Sequence, residues 1–91
     1  MNKFFKFNEL VEIGKIFLAC EAYLIALEYF NKALSYDPEN TSAMFRIGNI
    51  YYAIKDYGKA AEILERGIEL QPKNFKVLYM IAKCYIAIDN S

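Results

Sequence analysis

The 91-residue sequence contains no histidine, which removes the side chain most often used as a general base and as a metal ligand. Its three serines, Ser35, Ser42 and Ser91, therefore have no imidazole to activate them as nucleophiles. Cys20 and Cys84 lie far apart and form no C-x-x-C pair, so no metal cluster can be assembled around them. The string G-N-I-Y-Y at 48–52 sits inside a continuous helical pattern and cannot wrap a phosphate as a glycine loop does. The acidic residues are scattered over helix surfaces, where solvation is their ordinary role. Neither an enzymatic reaction nor a cofactor is expected. The chemistry that remains is recognition by charged and aromatic side chains, and it needs a scaffold to hold them in place.

Ninety-one residues are enough for one domain. Eight Tyr and seven Phe against four Gly and two Pro favour an ordered, packed chain over a disordered tail. A chain this short buries only about 60–65% of its unfolded surface, so its stability margin is thin. Eleven basic and eleven acidic residues leave no net field to draw the molecule to nucleic acid or to a membrane. The start, M-N-K-F-F-K-F, is basic and aromatic like a signal peptide, but Glu9 and Glu12 break the apolar run that such a peptide needs. No stretch of about 18 uncharged apolar residues is long enough to span a bilayer. A cytoplasmic location is expected, and it suits two thiols that are reduced and buried in apolar helical stretches.

Pro38 and Pro72 stand 34 residues apart, each followed two places later by Asn (Asn40, Asn74). Stepping back from them aligns 7–40 with 41–74, and 75–91 with the first half of the same unit; residues 1–6 form an N-terminal extension. In this register Ile13-Gly14 matches Ile47-Gly48 and Ile81-Ala82, while Phe17, Tyr51 and Tyr85 share a column. Ala26 pairs with Ala60, and Leu10 with Met44 and Leu78. Small residues at the 14/48/82 and 26/60 columns allow two helices to approach closely, and the large columns fill the space between. Apolar residues recur at three- and four-residue spacing over 8–20, 41–54 and 75–88 (first helices) and over 23–36 and 57–70 (second helices). Proline forces the residue before it out of helical geometry, so Asp37-Pro38 and Gln71-Pro72 end the second helices. Asn40 and Asn74 supply N-cap chemistry for the helices that follow.

The second unit, from Thr41 to Asn74, resembles a tetratricopeptide repeat from end to end. Met44, Ile47, Gly48, Tyr51, Ala60, Leu64, Gly67 and Pro72 fall on that family's columns, with Gly67 in place of the more usual alanine as a tolerable change. The first unit matches at Leu10, Ile13, Gly14, Phe17, Ala26, Phe30, Ala33 and Pro38, and the third at Leu78, Ile81, Ala82 and Tyr85. The resemblance covers 7–91. It implies an all-α fold: a right-handed superhelical stack of antiparallel helix pairs, with five helices and about two and a half repeats. Pentatricopeptide units, which read RNA, usually have a period one residue longer.

The resemblance also implies that the first helices line a concave groove. Its expected residues are Lys15 from the first unit, Phe45, Arg46, Asn49 and Tyr52 from the second, and Lys76, Tyr79 and Lys83 from the third. Basic residues dominate these columns, with Glu12 as the single acid among the neighbouring ones, whereas the second helices carry Glu21, Glu28, Glu62, Glu65 and Glu69 against Lys32, Lys59 and Arg66. Such a groove fits a protein or peptide ligand with acidic and apolar residues. One subgroup of the family binds acidic chaperone tails through a clamp of Lys, Asn, Asn, Lys and Arg. The matching columns here hold Val11, Lys15, Arg46, Lys76 and Met80, of which only Lys76 agrees, so that function is not carried over.

Two places depart from the pattern. Between the helices of the second unit, K-D-Y-G offers turn chemistry at Asp56 and Gly58, but E-A-Y-L at 21–24 holds nothing that breaks a helix. Tertiary packing is expected to force the turn. The alternative is one long helix over 8–36 that exchanges partners between chains. The last helix has no partner helix after it, and Leu78, Met80, Ile81, Cys84, Tyr85, Ile86 and Ile88 leave it little polar face. That pattern expects either a piece of a longer repeat array or a surface for self-association as a homodimer.

Overall fold

The computed structural model describes residues 6–90; the extension read over 1–6 lies, apart from Lys6, outside the described residues, as does Ser91. Five helices follow one another: α1 (Phe7–Ala19), α2 (Tyr23–Tyr36), α3 (Thr41–Ala53), α4 (Tyr57–Leu70) and α5 (Phe75–Asp89). No strand occurs among the described residues. The molecule measures 42 × 26 × 17 Å, an elongated row about two helices thick.

The helix starts follow from local chemistry. Asn40 Oδ1 accepts from the Ala43 N–H at 2.9 Å, and Asn74 Oδ1 accepts from the Val77 N–H at 3.3 Å, each satisfying a backbone donor left free in the first turn. Asp56 does the same for Lys59, more loosely, at 3.4 Å. At α1 the Glu9 carboxylate reaches back to the Lys6 N–H at 3.1 Å. Asp37 and Gln71, each ahead of a proline, close α2 and α4.

The turn after α1 forms, and the single helix through 21–24 does not. Glu21 takes φ 61° and its repeat equivalent Lys55 takes φ 70°, both left-handed. Around them the hydrogen bonds repeat: Glu21 N to Leu18 O and Ala22 N to Phe17 O, both at 2.9 Å, then Lys55 N to Tyr52 O at 3.0 Å and Asp56 N to Tyr51 O at 2.8 Å. This crossed pair is a Schellman ending, which satisfies the last carbonyls of the helix and usually places glycine where Glu21 and Lys55 stand. Gly58 was the expected turn glycine of 55–58, but it lies inside α4 and has no positive φ. The turn is therefore set by backbone bonding and by the burial gained when the two helices fold together.

That burial centres on the small-residue column. A β-carbon built at Gly14 would stand 3.0 Å from the Phe30 ring, and one at Gly48 would stand 2.6 Å from Leu64 Cγ. Phe30 and Leu64, with Leu10, Met44, Ile47 and Ile50, are essentially inaccessible to solvent. Gly14 facing Phe30 and Phe17 stacked on Tyr29 (5.6 Å between ring centres) fix α1 and α2 as antiparallel. Gly48 facing Leu64 and Lys59 above the Tyr51 ring do so for α3 and α4. Successive pairs join through α2 against α3 and α4 against α5. The second junction carries a hydrogen bond from the Tyr85 hydroxyl to Glu65 at 2.8 Å, and the carboxylate raises the pKa of that phenol.

The cysteines divide. Cys84 is fully buried, and burial pushes its thiol pKa up, with the Lys83 charge pulling the other way. Cys20, expected to be buried, is exposed because it is the residue that caps α1. The outer side of α5 is uncovered: Leu78 is 40% exposed, whereas its equivalents Leu10 and Met44 are 1% exposed.

Two predictions follow from the turn and from the close approach. Glu21→Gly relieves a left-handed cost of about 1–2 kcal/mol against a glycine entropy cost of about 0.5–1 kcal/mol, so thermal unfolding should shift up by a few degrees; an unchanged or lower midpoint contradicts the assigned turn. Gly48→Val drives two methyl groups into Leu64 and should lower stability by about 1–3 kcal/mol in urea titrations. A neutral effect would mean that α3 and α4 are not held this close.

Candidate functional site

On α3 the side that faces α4 is occupied by Met44, Ile47 and Gly48, so the helical period sends Phe45, Arg46, Asn49 and Tyr52 to another face. On α5 the inward positions are Val77 and Cys84, and Lys76, Tyr79 and Lys83 share a stripe at three- and four-residue spacing. These two stripes meet across an open pocket of about 400 Å³, lined by Phe45, Asn49, Leu64, Asn74, Lys76, Val77, Tyr79 and Met80. A second opening of about 360 Å³ shares Phe45, Asn49 and Asn74 and adds Thr41, Ser42, Arg46 and Gln71. Together they form one trough along the first-helix side, with an apolar floor and a polar rim.

The floor depends on α4. Leu64 is 1% exposed and Val77 is 6% exposed at its base. A β-carbon at Gly67 would run into the Phe45 ring, with Cδ1 and Cζ both at 3.1 Å. Glycine at 67 is thus more than a tolerable change from alanine, because it provides the seat that lets Phe45 lie down against α4 and form a wall of the trough.

The charges are arranged unevenly. Lys15 is ion-paired with Glu12 on its own helix at 3.3 Å and lines neither opening of the trough. Glu12, the single acid counted among the groove columns, thus falls to Lys15: the pair sits one turn apart on an exposed helix face, so Lys15 adds little net charge there. Among the described residues, Arg46, Lys76 and Lys83 have no carboxylate within ion-pair distance. Lys83 is positioned by aromatic rings, its Nζ lying 5.1 Å from the centre of Tyr52 and 5.4 Å from that of Tyr79. Tyr52 is itself held edge-on by Tyr57 at 5.2 Å. The Arg46 guanidinium lies 6.0 Å from the Phe30 ring, over the junction with α2. Tyr79 is 65% exposed, an apolar surface offered to solvent beside two cations.

Of the eight expected residues, Phe45, Asn49, Lys76 and Tyr79 line the larger opening and Arg46 the smaller; Tyr52 and Lys83 meet beside Tyr79 without lining either, and Lys15 stands apart on α1. Leu64, Gly67, Asn74 and Val77 were not among the expected groove residues. Leu64, Gly67 and Val77 act as floor and seat, roles that tertiary packing decides. Asn74 was read as a cap only, yet it also lines both openings. The sequence signal for this lies in its own column: Asn40 donates its amide to Asp37 at 3.1 Å, and Gln71 replaces that carboxylate beside Asn74. On the opposite side, a cavity of about 320 Å³ between α2, α3 and α4 carries Lys59, Arg66 and Glu62 together, so its rim has no clear sign. No group of three or more His, Cys, Asp or Glu among the described residues could hold a metal ion. No helix among the described residues is long and apolar enough to cross a membrane.

Two solved structures have the same fold. The first TPR of Spaghetti (RPAP3) bound to the HSP90 peptide SRMEEVD superposes with a TM-score of 0.87 at 19% identity, over 93% of this chain and 68% of that one. The Sgt2 TPR domain from Aspergillus fumigatus gives a TM-score of 0.85 at 24% identity, over 92% of this chain and 56% of that one. No curated protein sequence matches the chain. Residues 19–91 match the family model described as anaphase-promoting complex, cyclosome, subunit 3. With most of its length matched in this way and its five helices in the tetratricopeptide arrangement, the chain belongs to that tetratricopeptide-repeat family.

Proposed function

We propose that this chain is an adaptor that holds an extended, partly acidic peptide segment of another protein in the trough between α3 and α5. The observation that carries this reading is the set of cations without a carboxylate partner among the described residues: Lys76 with Phe45 and Tyr79 at the apolar floor, Arg46 at the adjoining opening, and Lys83 beside it against Tyr52 and Tyr79. The cations orient an acidic segment and speed its approach, and the aromatic faces supply burial. Asn49, exposed on the rim, is available to the peptide backbone. An affinity near micromolar, about −8 kcal/mol, is ordinary for such a contact. One neighbour in fold and the family match support a polypeptide ligand in general: the neighbour is a TPR bound to a peptide, and the matched family is named for a subunit of a complex. The chaperone tail itself is not proposed, because only Lys76 falls on that clamp. The units 7–40, 41–74 and 75–91 and a cytoplasmic setting belong to the same reading.

A second reading rests on the uncovered outer side of α5, where Leu78 and Tyr85 are 40% and 47% exposed. In the two complete pairs that face lies against a second helix, so here it can join two copies of the chain.

Two measurements separate these readings. Arg46→Glu with Lys83→Glu should weaken peptide binding by at least about tenfold in fluorescence titrations and leave the thermal midpoint nearly unchanged; unaltered affinity for every acidic peptide that binds would sink the adaptor reading. Light scattering across micromolar concentrations should show mass rising towards a dimer if the α5 face associates. A monomer at every concentration ends the second reading.

A further inference from the structure

We infer that the trough, on the peptide-binding reading above, selects two acidic side chains three residues apart, with a large apolar side chain at one of the two positions between them. Lys76 and Lys83 are seven residues apart on α5, close to two full turns, so they share a face about 10.5 Å apart along the axis. Neither has a carboxylate partner among the described residues, and Lys83 is held between Tyr52 and Tyr79. Between the two lysines, Tyr79 and Met80 border the pocket of about 400 Å³ that opens towards α3 over Leu64 and Val77.

An extended peptide can match two cations at this distance in few ways. In a polyproline-type conformation each residue advances about 3.1 Å and every third residue returns to the same side. Acids at i and i+3 then stand about 9.3 Å apart on one side, a gap that the flexible lysine stems close. In a β-strand the side chains alternate, so acids on one side are two or four residues apart, about 6.7 or 13 Å. Both spacings depart from the lysine pair by about 2.5–4 Å, against about 1 Å for acids three apart, so the stems must bend further to meet them. The two residues between the acids are turned by about a third of a turn to either side, and one of them faces the pocket. A polyproline-type backbone has no internal hydrogen bonds, and Asn49 and Asn74 on the rim offer it donors.

The test uses N-acetylated, fluorescein-labelled nonapeptides of serine and alanine, with Glu at positions 3 and 6 and Leu at position 4 or 5. Comparison peptides place the two Glu residues two or four apart at the same net charge. The expected result is that the three-apart peptide with Leu at the better position binds about tenfold more tightly than either comparison peptide. Replacing Leu by Ser should lose a similar factor. Lys76→Met and Lys83→Met should each remove most of the preference for spacing, with circular dichroism melts confirming that both variants are folded. Equal affinity at all three spacings overturns the spacing rule and leaves the adaptor reading standing. If none of the acidic peptides binds, both fall.

Discussion

Everything in this molecule rests on how closely the two helices of a pair approach at one small residue. With glycine at 14 and 48, the Phe30 ring and Leu64 settle onto the backbone of the facing helix. A methyl group at 48 would force Leu64 to move, and one at 14 would crowd the Phe30 ring, in the seam where the most buried side chains sit. Close approach also explains why the chain turns at Glu21 and Lys55 although neither is glycine. The left-handed conformation is unfavourable locally, by about 1–2 kcal/mol, and the two apolar faces brought together by the turn outweigh it.

Once the pairs are closed, the outer part of each first helix is left to solvent, while Phe45 and Tyr52 still pack at the edge of the core. Its side chains are free to be polar, aromatic or charged without loss of core packing. A neutral chain can therefore hold local excesses of charge. On α1 and α2 the cations are neutralised within their own helices by Glu12 and Glu28. On α3 and α5 they face rings and open pockets instead. Tyr52 and Tyr79 hold Lys83, and the Phe30 ring holds Arg46, which lowers the entropy cost of orienting a flexible ligand.

Much of this was legible in the residues. Proline spacing and the asparagine caps placed α2 and α4 at their observed bounds, and α3 and α5 within a residue of them, because both signals act through the local backbone. The first turn was harder to read, since its geometry comes from main-chain bonds that any side chain tolerates at some cost. The stripes on α3 and α5 were readable from the period, but their depth was not. Gly67 under Phe45 and Leu64 at the base of the pocket are contacts between helices, and nothing near them in sequence announces the partner. Glu12 was readable as the one acid among the groove columns, and its three-residue spacing from Lys15 is what makes that lysine its partner. Cys20 looked buried because it was assigned to α1, when it is the residue just past its end.

The central claim is that the face left over after pairing, on α3 and α5, is the surface that meets a partner. The most direct measurement is an amide NMR titration of the isotope-labelled chain with a short acidic, apolar peptide, followed residue by residue. Shifts concentrated at Phe45 to Tyr52 and at Asn74 to Lys83 are predicted, with α2 and the outer side of α4 unmoved. Shifts centred on the cavity between Lys59, Glu62 and Arg66, or along the outer edge of α5, would contradict it.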